Sequence, residues 1–195
     1  MQLGQCPLKG RFYFQLYSAI KLVFRLYGYK KSGYMMIDPD GEDGEDPFQV
    51  YCDMDLIPGR GVTMVTHTNA GIAIDVRGCD DPGCFSHGLD YQGVSMNQIK
   101  GLIDRSIHCQ QYIRYDCFDS KLLKDGTAWW VSRDGRRQTY WGGAAPGSGM
   151  CACGMQGNCD NPNEVCNCDS DEEKQLFDEG FIVDKVCDFD IVYLI

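Results

Sequence analysis

Cysteine is the residue type in this chain with the most chemistry to offer. The 195 residues include 12 cysteines, about 6% of the chain. Five of them cluster in Cys151-Ala-Cys153, Cys159 and Cys166-Asn-Cys168. The other seven are Cys6, Cys52, Cys79, Cys84, Cys109, Cys117 and Cys187. An even number at this density indicates either a set of disulfides or a bound metal, and the two belong to different cellular compartments.

Zinc is the metal to weigh against disulfides. A structural zinc site takes four thiolate or imidazole ligands, commonly from two C-x2-C pairs. The short pairs here are C-x-C, and the histidines lie far upstream, at His67, His87 and His108. A C-x-C pair is poorly placed to close on itself, because a disulfide needs Cα atoms several ångströms apart. We therefore expect each member to bond a different partner, all twelve cysteines to be structural, and the protein to be extracellular, with no metal ligand assigned.

One disulfide is predicted from local spacing alone. The sequence Cys79-Asp-Asp-Pro-Gly-Cys84 places a turn dipeptide inside a six-residue loop. Such a turn brings the two Cβ atoms into bridging range. We expect a bridge between these cysteines that holds a surface loop, so that replacing both by serine barely changes the melting temperature.

Charge is unevenly distributed along the chain. Residues 1–31 carry six basic and no acidic side chains, whereas residues 32–195 carry 12 basic and 28 acidic ones. An acidic body argues against nucleic acid as a partner, because phosphate contacts need clustered cations. Lys21 and Arg25 interrupt the apolar run near the start, so this run cannot span a bilayer. It also lacks the pattern of a secretory signal, and no signal peptide is visible.

The elements that must position these residues are mainly strands. Alternating apolar residues follow a turn at Asp38-Pro-Asp-Gly41, so Phe48, Val50 and Cys52 are predicted on one side of a strand. Helical periodicity is scarce. Its clearest example begins after Ser95, a predicted N-cap, with four apolar residues on one face. These are Met96, Ile99, Leu102 and Ile103.

An ordered string of motifs carries a family resemblance. It begins with Ser32-Gly-Tyr-Met-Met-Ile-Asp-Pro-Asp-Gly41, Pro47-Phe-Gln-Val-Tyr-Cys52-Asp-Met54, Met96-Asn-Gln-Ile99 and Cys109-Gln-Gln-Tyr-Ile-Arg-Tyr-Asp-Cys117. It continues with Trp129-Trp130-Val-Ser-Arg-Asp-Gly135, Tyr140-Trp-Gly-Gly143, Cys151-Ala-Cys-Gly154, Cys166-Asn-Cys-Asp169 and Asp178-Glu-Gly180. This string resembles the fibrinogen-like module of contactin-associated proteins, which are neurexin-related adhesion receptors, and of related invertebrate extracellular proteins.

The resemblance implies an α+β, disulfide-rich fibrinogen C-terminal-like module, mainly of antiparallel strands, with few short helices and long loops. Residues 28–186 would form this domain, preceded by an atypical basic and aromatic segment at 1–27 and followed by a divergent or truncated end at 187–195. The resemblance also implies a Cys6–Cys52 bridge. The long spacing before Ser32 suggests that residues 11–25 are an insertion, and we expect that deleting residues 7–21 keeps this bridge.

Two other groups of residues have alternative interpretations. The acids from Asp38 to Asp46, and those of Asp169-Ser-Asp-Glu-Glu173, could bind calcium weakly, but a solvated acidic hairpin and a charged loop are favoured. Four aromatic residues could form a platform for stacking carbohydrate, although core packing suits them better. These are Trp129, Trp130, Tyr140 and Trp141.

The sequence therefore predicts an extracellular recognition or cell-adhesion module that binds a protein or glycan, within a larger receptor or matrix protein. The alternative is an acidic extracellular matrix protein that associates with calcium or mineral. No phosphate-binding loop, nucleophile elbow or protease signature is present, so we expect no enzymatic activity and no cofactor. A zinc hydrolase is the third hypothesis.

Overall fold

The computed structural model describes residues 31–57, 60–68, 74, 81–82, 85–106, 109–119, 121–170, 173–184 and 191–194. Within these ranges the strands are β1 Gly33–Ile37, β2 Phe48–Ile57, β3 Arg60–Met64, β4 His87–Gly88, β5 Cys109–Phe118, β6 Trp130–Ser132, β7 Arg137–Gln138, β8 Gln175–Asp184 and β9 Ile191–Leu194. The helices are α1 Met96–Asp104, α2 Ala152–Gln156 and two 3-10 turns, Lys124–Gly126 and Asn167–Asp169. The predicted α+β class with few short helices is confirmed.

The chain divides into two compact units. The first comprises residues 1–71, 90–109 and 185–187, and the second comprises residues 72–89, 110–184 and 188–195. The predicted domain limits at residues 28 and 186 stay predictions. The segments 1–27 and 11–25 and the proposed bridges of Cys6 and of Cys79 with Cys84 lie outside the described residues, as does Cys187.

The first unit contains a three-stranded antiparallel sheet in the order β1-β2-β3. Its inner face carries Ile37, Phe48, Val50 and Cys52, which are all buried, and Leu102 of α1 joins this core. The alternation predicted for the returning strand is confirmed, because successive side chains of a strand point to opposite faces. Cys52 is disulfide-bonded.

The predicted helix is confirmed, with one correction. Ser95 caps α1 by accepting the backbone N–H of Gln98 at 3.0 Å, while the Gln98 side chain accepts the backbone N–H of Ser95 at 2.8 Å. This reciprocal arrangement is a capping box, which satisfies two backbone donors at the helix start. Ile99, Leu102 and Ile103 are buried as expected, but Met96 is exposed because it occupies the first helical position, beyond the edge of the core.

The acidic connection between β1 and β2 is a hairpin held by its own carboxylates. Asp38 Oδ1 accepts the backbone N–H of Gly41 at 2.8 Å, and Asp40 Oδ2 accepts that of Glu45 at 3.1 Å. The turn predicted at Asp38-Pro-Asp-Gly41 is confirmed, since a short aspartate side chain can replace a backbone acceptor in a turn. These two carboxylates stabilise the loop itself.

The second unit contains a four-stranded sheet in the order β4-β9-β6-β7 and a two-stranded sheet of β5 and β8. Residues 191–194 form β9, which pairs with β4 on one side and with β6 on the other. This last strand is therefore integral to the sheet. Between β6 and β7 the chain turns through Asp134 and Gly135, where Gly135 adopts a φ of 79°.

The core of the second unit combines aromatic rings with disulfides. Trp130, Tyr140 and Trp141 are almost completely buried. The indole N–H of Trp130 donates to the Tyr140 carbonyl at 2.8 Å, and that of Trp141 donates to the Asp178 carbonyl at 3.1 Å. Buried indole nitrogens normally find such partners, because an unsatisfied donor is costly.

Candidate functional site

The three disulfides that the structure describes in the second unit form a single cluster. Cys151 bonds Cys166, Cys153 bonds Cys159, and Cys117 of β5 bonds Cys168. Each member of a C-x-C pair therefore has a different partner, as predicted. Cys109 is also disulfide-bonded, and no described cysteine is free. The prediction of an oxidised scaffold is confirmed for the cysteines that the structure describes.

Two buried aspartates fix the loop that contains Cys166 and Cys168. The carboxylate of Asp178, on β8, accepts the backbone N–H groups of Asn167 at 3.1 Å and Cys168 at 2.8 Å. Burial raises the pKa of Asp178 above its ordinary value, and the charge of Asp169 raises it further. Because Cys168 is also bonded to Cys117, the strands β5 and β8 are both tied to the same loop.

The second aspartate, Asp169, does not fit the charged loop predicted at Asp169–Glu173, although Glu173 at the other end of that segment is exposed. Asp169 is fully buried, and its Oδ1 accepts the backbone N–H groups of Leu122, Leu123 and Lys124 at 2.8, 3.0 and 3.1 Å. A buried carboxylate is stable only with such donors. The aspartate is therefore a structural anchor for the turn that leads into the Lys124–Gly126 helix.

The pair Gly142-Gly143 lies directly against the backbone of β8. A Cβ atom on Gly142 would stand 2.3 Å from the carbonyl oxygen of Gly180. The backbone N–H of Gly143 donates to the carbonyl of Phe181 at 2.8 Å. Only glycine permits this close approach, and this accounts for glycine after Trp141 and within β8.

These restraints position the outward face of β5 and β8. Side chains alternate along both strands, and Ile113, Cys117, Leu176 and Ile182 point into the core. The opposite side is exposed and carries large apolar residues. Their exposed fractions are 49% for Tyr112, 61% for Phe118, 44% for Phe177, 47% for Phe181 and 47% for Val183. We call these residues, with Arg114, Asp116 and Glu179, the β5–β8 face.

The β5–β8 face is ordered by contacts between its two strands. The rings of Tyr112 and Phe181 meet edge to face at 5.5 Å, and the Arg114 guanidinium lies 4.2 Å from the centre of the Phe177 ring. Arg114 also donates to Glu179 at 2.8 Å, and the Tyr112 hydroxyl donates to the same carboxylate. The partners run in opposite order along the two strands, so the pair is antiparallel.

Charge on this face is arranged around Arg114. Its hydrogen bonds to Asp116 raise the pKa of the guanidinium and lower the pKa of the Asp116 carboxyl. The Tyr112 hydroxyl and Arg114 together lower the pKa of Glu179, and the bond to Glu179 raises the pKa of Tyr112. All four groups therefore hold one charge state at neutral pH, so the face offers a fixed pattern of rings and charges.

The four aromatic residues considered as a stacking platform are not on this face, and the core packing favoured for them describes three of the four. Trp130, Tyr140 and Trp141 lie in the core. Trp129 is half-buried, and the guanidinium of Arg137 stands 3.7 Å from the centre of its ring. The sequence signal that could have revealed the β5–β8 face is the alternation of Tyr112, Arg114 and Asp116 with Ile113 and Cys117.

The fold and the site thus define a disulfide-crosslinked α+β module with an exposed aromatic face. Over 171 residues the chain is 34% identical to contactin-associated protein 1 from Homo sapiens, a match that covers 86% of this chain and 12% of the relative. It is 34% identical over 157 residues to neurexin-4 from Drosophila melanogaster, covering 76% of this chain and 12% of that relative. The chain is homologous to a segment of these proteins and spans about an eighth of their length.

No protein-family model matches the chain. Among the described residues, no helix combines the length and the hydropathy needed to cross a bilayer.

Proposed function

We propose that this chain is an extracellular, fibrinogen-like recognition module of a larger adhesion protein, and that it binds a protein partner through the β5–β8 face. The observation that carries the proposal is the exposure of four aromatic rings beside Arg114 on strands fixed by disulfides. Aromatic residues and arginine are the types enriched where protein interfaces are energetically important. A rigid face also loses little conformational entropy on binding.

The homology supports the same role. Contactin-associated protein 1 is named for its association with contactin, and the motifs from Ser32 to Gly180 resemble the fibrinogen-like module of this group of adhesion receptors. Disulfides form and persist in oxidising compartments, which agrees with an extracellular location. We expect recognition and not catalysis, since the rings and fixed charges of the β5–β8 face suit protein binding.

The test is binding of the chain to an immobilised contactin ectodomain, measured by surface plasmon resonance. Tyr112→Ser and Phe181→Ser remove one partner each of the edge-to-face pair. Truncation at an interface centre commonly costs at least about 2 kcal/mol, or roughly 30-fold in Kd. We expect losses of about 10-fold or more for either variant.

The matched control is Tyr34→Ser, which removes an exposed tyrosine from the first unit and should leave this affinity unchanged. Unaltered melting temperatures would show that the variants are folded. The proposal for the β5–β8 face is overturned if Tyr112→Ser and Phe181→Ser bind as tightly as the unmodified chain. Absence of any binding by the folded chain would overturn contactin as the partner.

A further inference from the structure

The sheet of the first unit has an outward face that the core does not use. Tyr34 is 70% exposed, Met36 43% and Met64 45%. The register places Tyr34 opposite Tyr51 and Tyr51 opposite Met64, so these three side chains form a row across all three strands. The rings of Tyr34 and Tyr51 meet edge to face at 5.3 Å. We call Tyr34, Met36, Tyr51 and Met64 the tyrosine face.

One end of the tyrosine face is strongly acidic. Residues 32–59 contain eight acidic side chains and no lysine or arginine. Six of them lie in the hairpin from Asp38 to Asp46 at one end of the sheet, and Glu42, Asp43, Glu45 and Asp46 are exposed there. The other two, Asp53 and Asp55, follow Tyr51 on β2, at the end of the sheet where Lys31 precedes β1 and Arg60 begins β3. A strand advances about 3.3 Å per residue, so Asp53 stands roughly 7 Å beyond Tyr51 along the sheet.

We infer that the tyrosine face binds a basic segment of another protein, in which arginine or lysine alternates with aliphatic residues. Tyrosine rings attract a cation to their faces, and the exposed carboxylates of the hairpin add Coulomb attraction. The methionines suit aliphatic side chains because they adapt to irregular shapes. This inference is independent of the β5–β8 face and uses different residues.

Charge decides between the possible occupants. Nucleic acid and anionic lipid would be repelled by the exposed carboxylates of the hairpin, which are Glu42, Asp43, Glu45 and Asp46. If the tyrosine faces of two copies met, each with a formal net charge of −10, their acidic hairpins would repel each other. A basic partner alone matches both the rings and the acids of this face.

The test uses three fluorescent decapeptides and the full chain, with fluorescence anisotropy in about 0.1 M salt. One peptide alternates arginine with valine, one arginine with serine, and one glutamate with valine. We expect binding of the first, weaker binding of the second and none of the third. A cation over an exposed ring contributes about 0.5–1 kcal/mol, so Tyr34→Ser should weaken binding of the first peptide about 2- to 5-fold. Tyr34→Ser combined with Met64→Ser should weaken it further.

A second pair, Glu42→Gln with Asp43→Asn, should weaken binding and flatten its dependence on salt, since fewer charges are screened. Tyr112→Ser on the β5–β8 face is the matched control and should bind the peptide normally. Equal binding of the arginine–valine and arginine–serine peptides, or normal binding by Tyr34→Ser, would reduce the effect to general charge attraction and overturn the inference. If the arginine–valine peptide bound only after residues 1–30 were removed, the occupant of the tyrosine face would be the basic start of the chain itself, and the inference would also be overturned.

Discussion

Replacing Asp169 tests whether the buried carboxylate, and not merely its charge, holds the second unit together. In Asp169→Ala three backbone N–H groups, those of Leu122, Leu123 and Lys124, lose their acceptor at 2.8–3.1 Å. An unsatisfied buried donor costs about 1–3 kcal/mol. Water entering the space left by the side chain offsets part of this. We expect a loss of about 3–5 kcal/mol in the free energy of unfolding.

Asp169→Asn is the matched variant. Its amide oxygen keeps an acceptor for the three donors, and its amide nitrogen replaces Oδ2, which has no hydrogen-bond partner among the described residues. The variant loses charge assistance and buries an amide N–H group without a described acceptor, but it also removes a buried charge, so we expect a loss of about 1–2 kcal/mol, smaller than that of Asp169→Ala. The difference between the two variants therefore isolates the acceptor.

The assay is urea unfolding with the disulfides intact, monitored by tryptophan fluorescence. An equal slope m for the two variants would show that both unfold from the same native state. Equal destabilisation by alanine and asparagine would refute the reasoning, because it would assign the stability to the charge. A loss below about 1 kcal/mol in Asp169→Ala would show that the three donors find other acceptors.

Three further predictions follow from the same unit. Gly142→Ala should lower the free energy of unfolding in urea by at least about 3 kcal/mol, because its Cβ would stand 2.3 Å from the Gly180 backbone. Gly33→Ala is the control and should change it very little, because no atom lies within 4 Å of the added Cβ. Removing the Cys117–Cys168 bridge, with a sequence separation of 51, should lower the free energy of unfolding by about 4 kcal/mol. Removing Cys153–Cys159, with a separation of 6, should lower it by about 2 kcal/mol. The opposite order would contradict the account in which each bridge acts by reducing the entropy of the unfolded loop. Because the folded pKa of Asp178 is raised, the folded state binds the proton more tightly, and this stabilisation is present at acid pH and lost as pH rises through the folded pKa. The stability of the unmodified chain relative to Asp178→Asn should therefore increase between pH 7 and pH 4, and a flat difference would exclude this role.

The sequence allows the chemistry of the cysteine cluster to be predicted, but not its connections. Backbone geometry is enough to show that Cys151 and Cys153 need different partners. Which partners they take depends on how β5 and the later loops meet, and several connectivities satisfy the same spacing. The local elements can be predicted because the capping box at Ser95 and the turn after Asp38 involve only neighbouring residues. The disulfide connections join residues that are distant in the sequence.

Burial of polar groups is what the sequence conceals. Asp169 stands in an acidic run and is interpreted as solvated, yet its donors come from Leu122–Lys124, more than 40 positions earlier. The outward side of β5 is less well hidden. Tyrosine occupies both sides of that strand, but only Tyr115 shares its side with Ile113 and Cys117, so the alternation itself assigns Tyr112 to the outer side.

The Cys117–Cys168 bridge also determines how the module carries mechanical load. When a pulling force opens the second unit, the covalent bond between Cys117 and Cys168 prevents extension of the chain between these two residues. At about 3.4 Å per residue, the enclosed separation of 51 corresponds to roughly 170 Å of contour length. Reducing this bridge alone releases roughly 120 Å, because the Cys151–Cys166 bridge still closes a separation of 15 inside it, and the full length is released only when all three bridges are reduced. The oxidised module is therefore a short, stiff link, and the reduced one a tether roughly 170 Å longer.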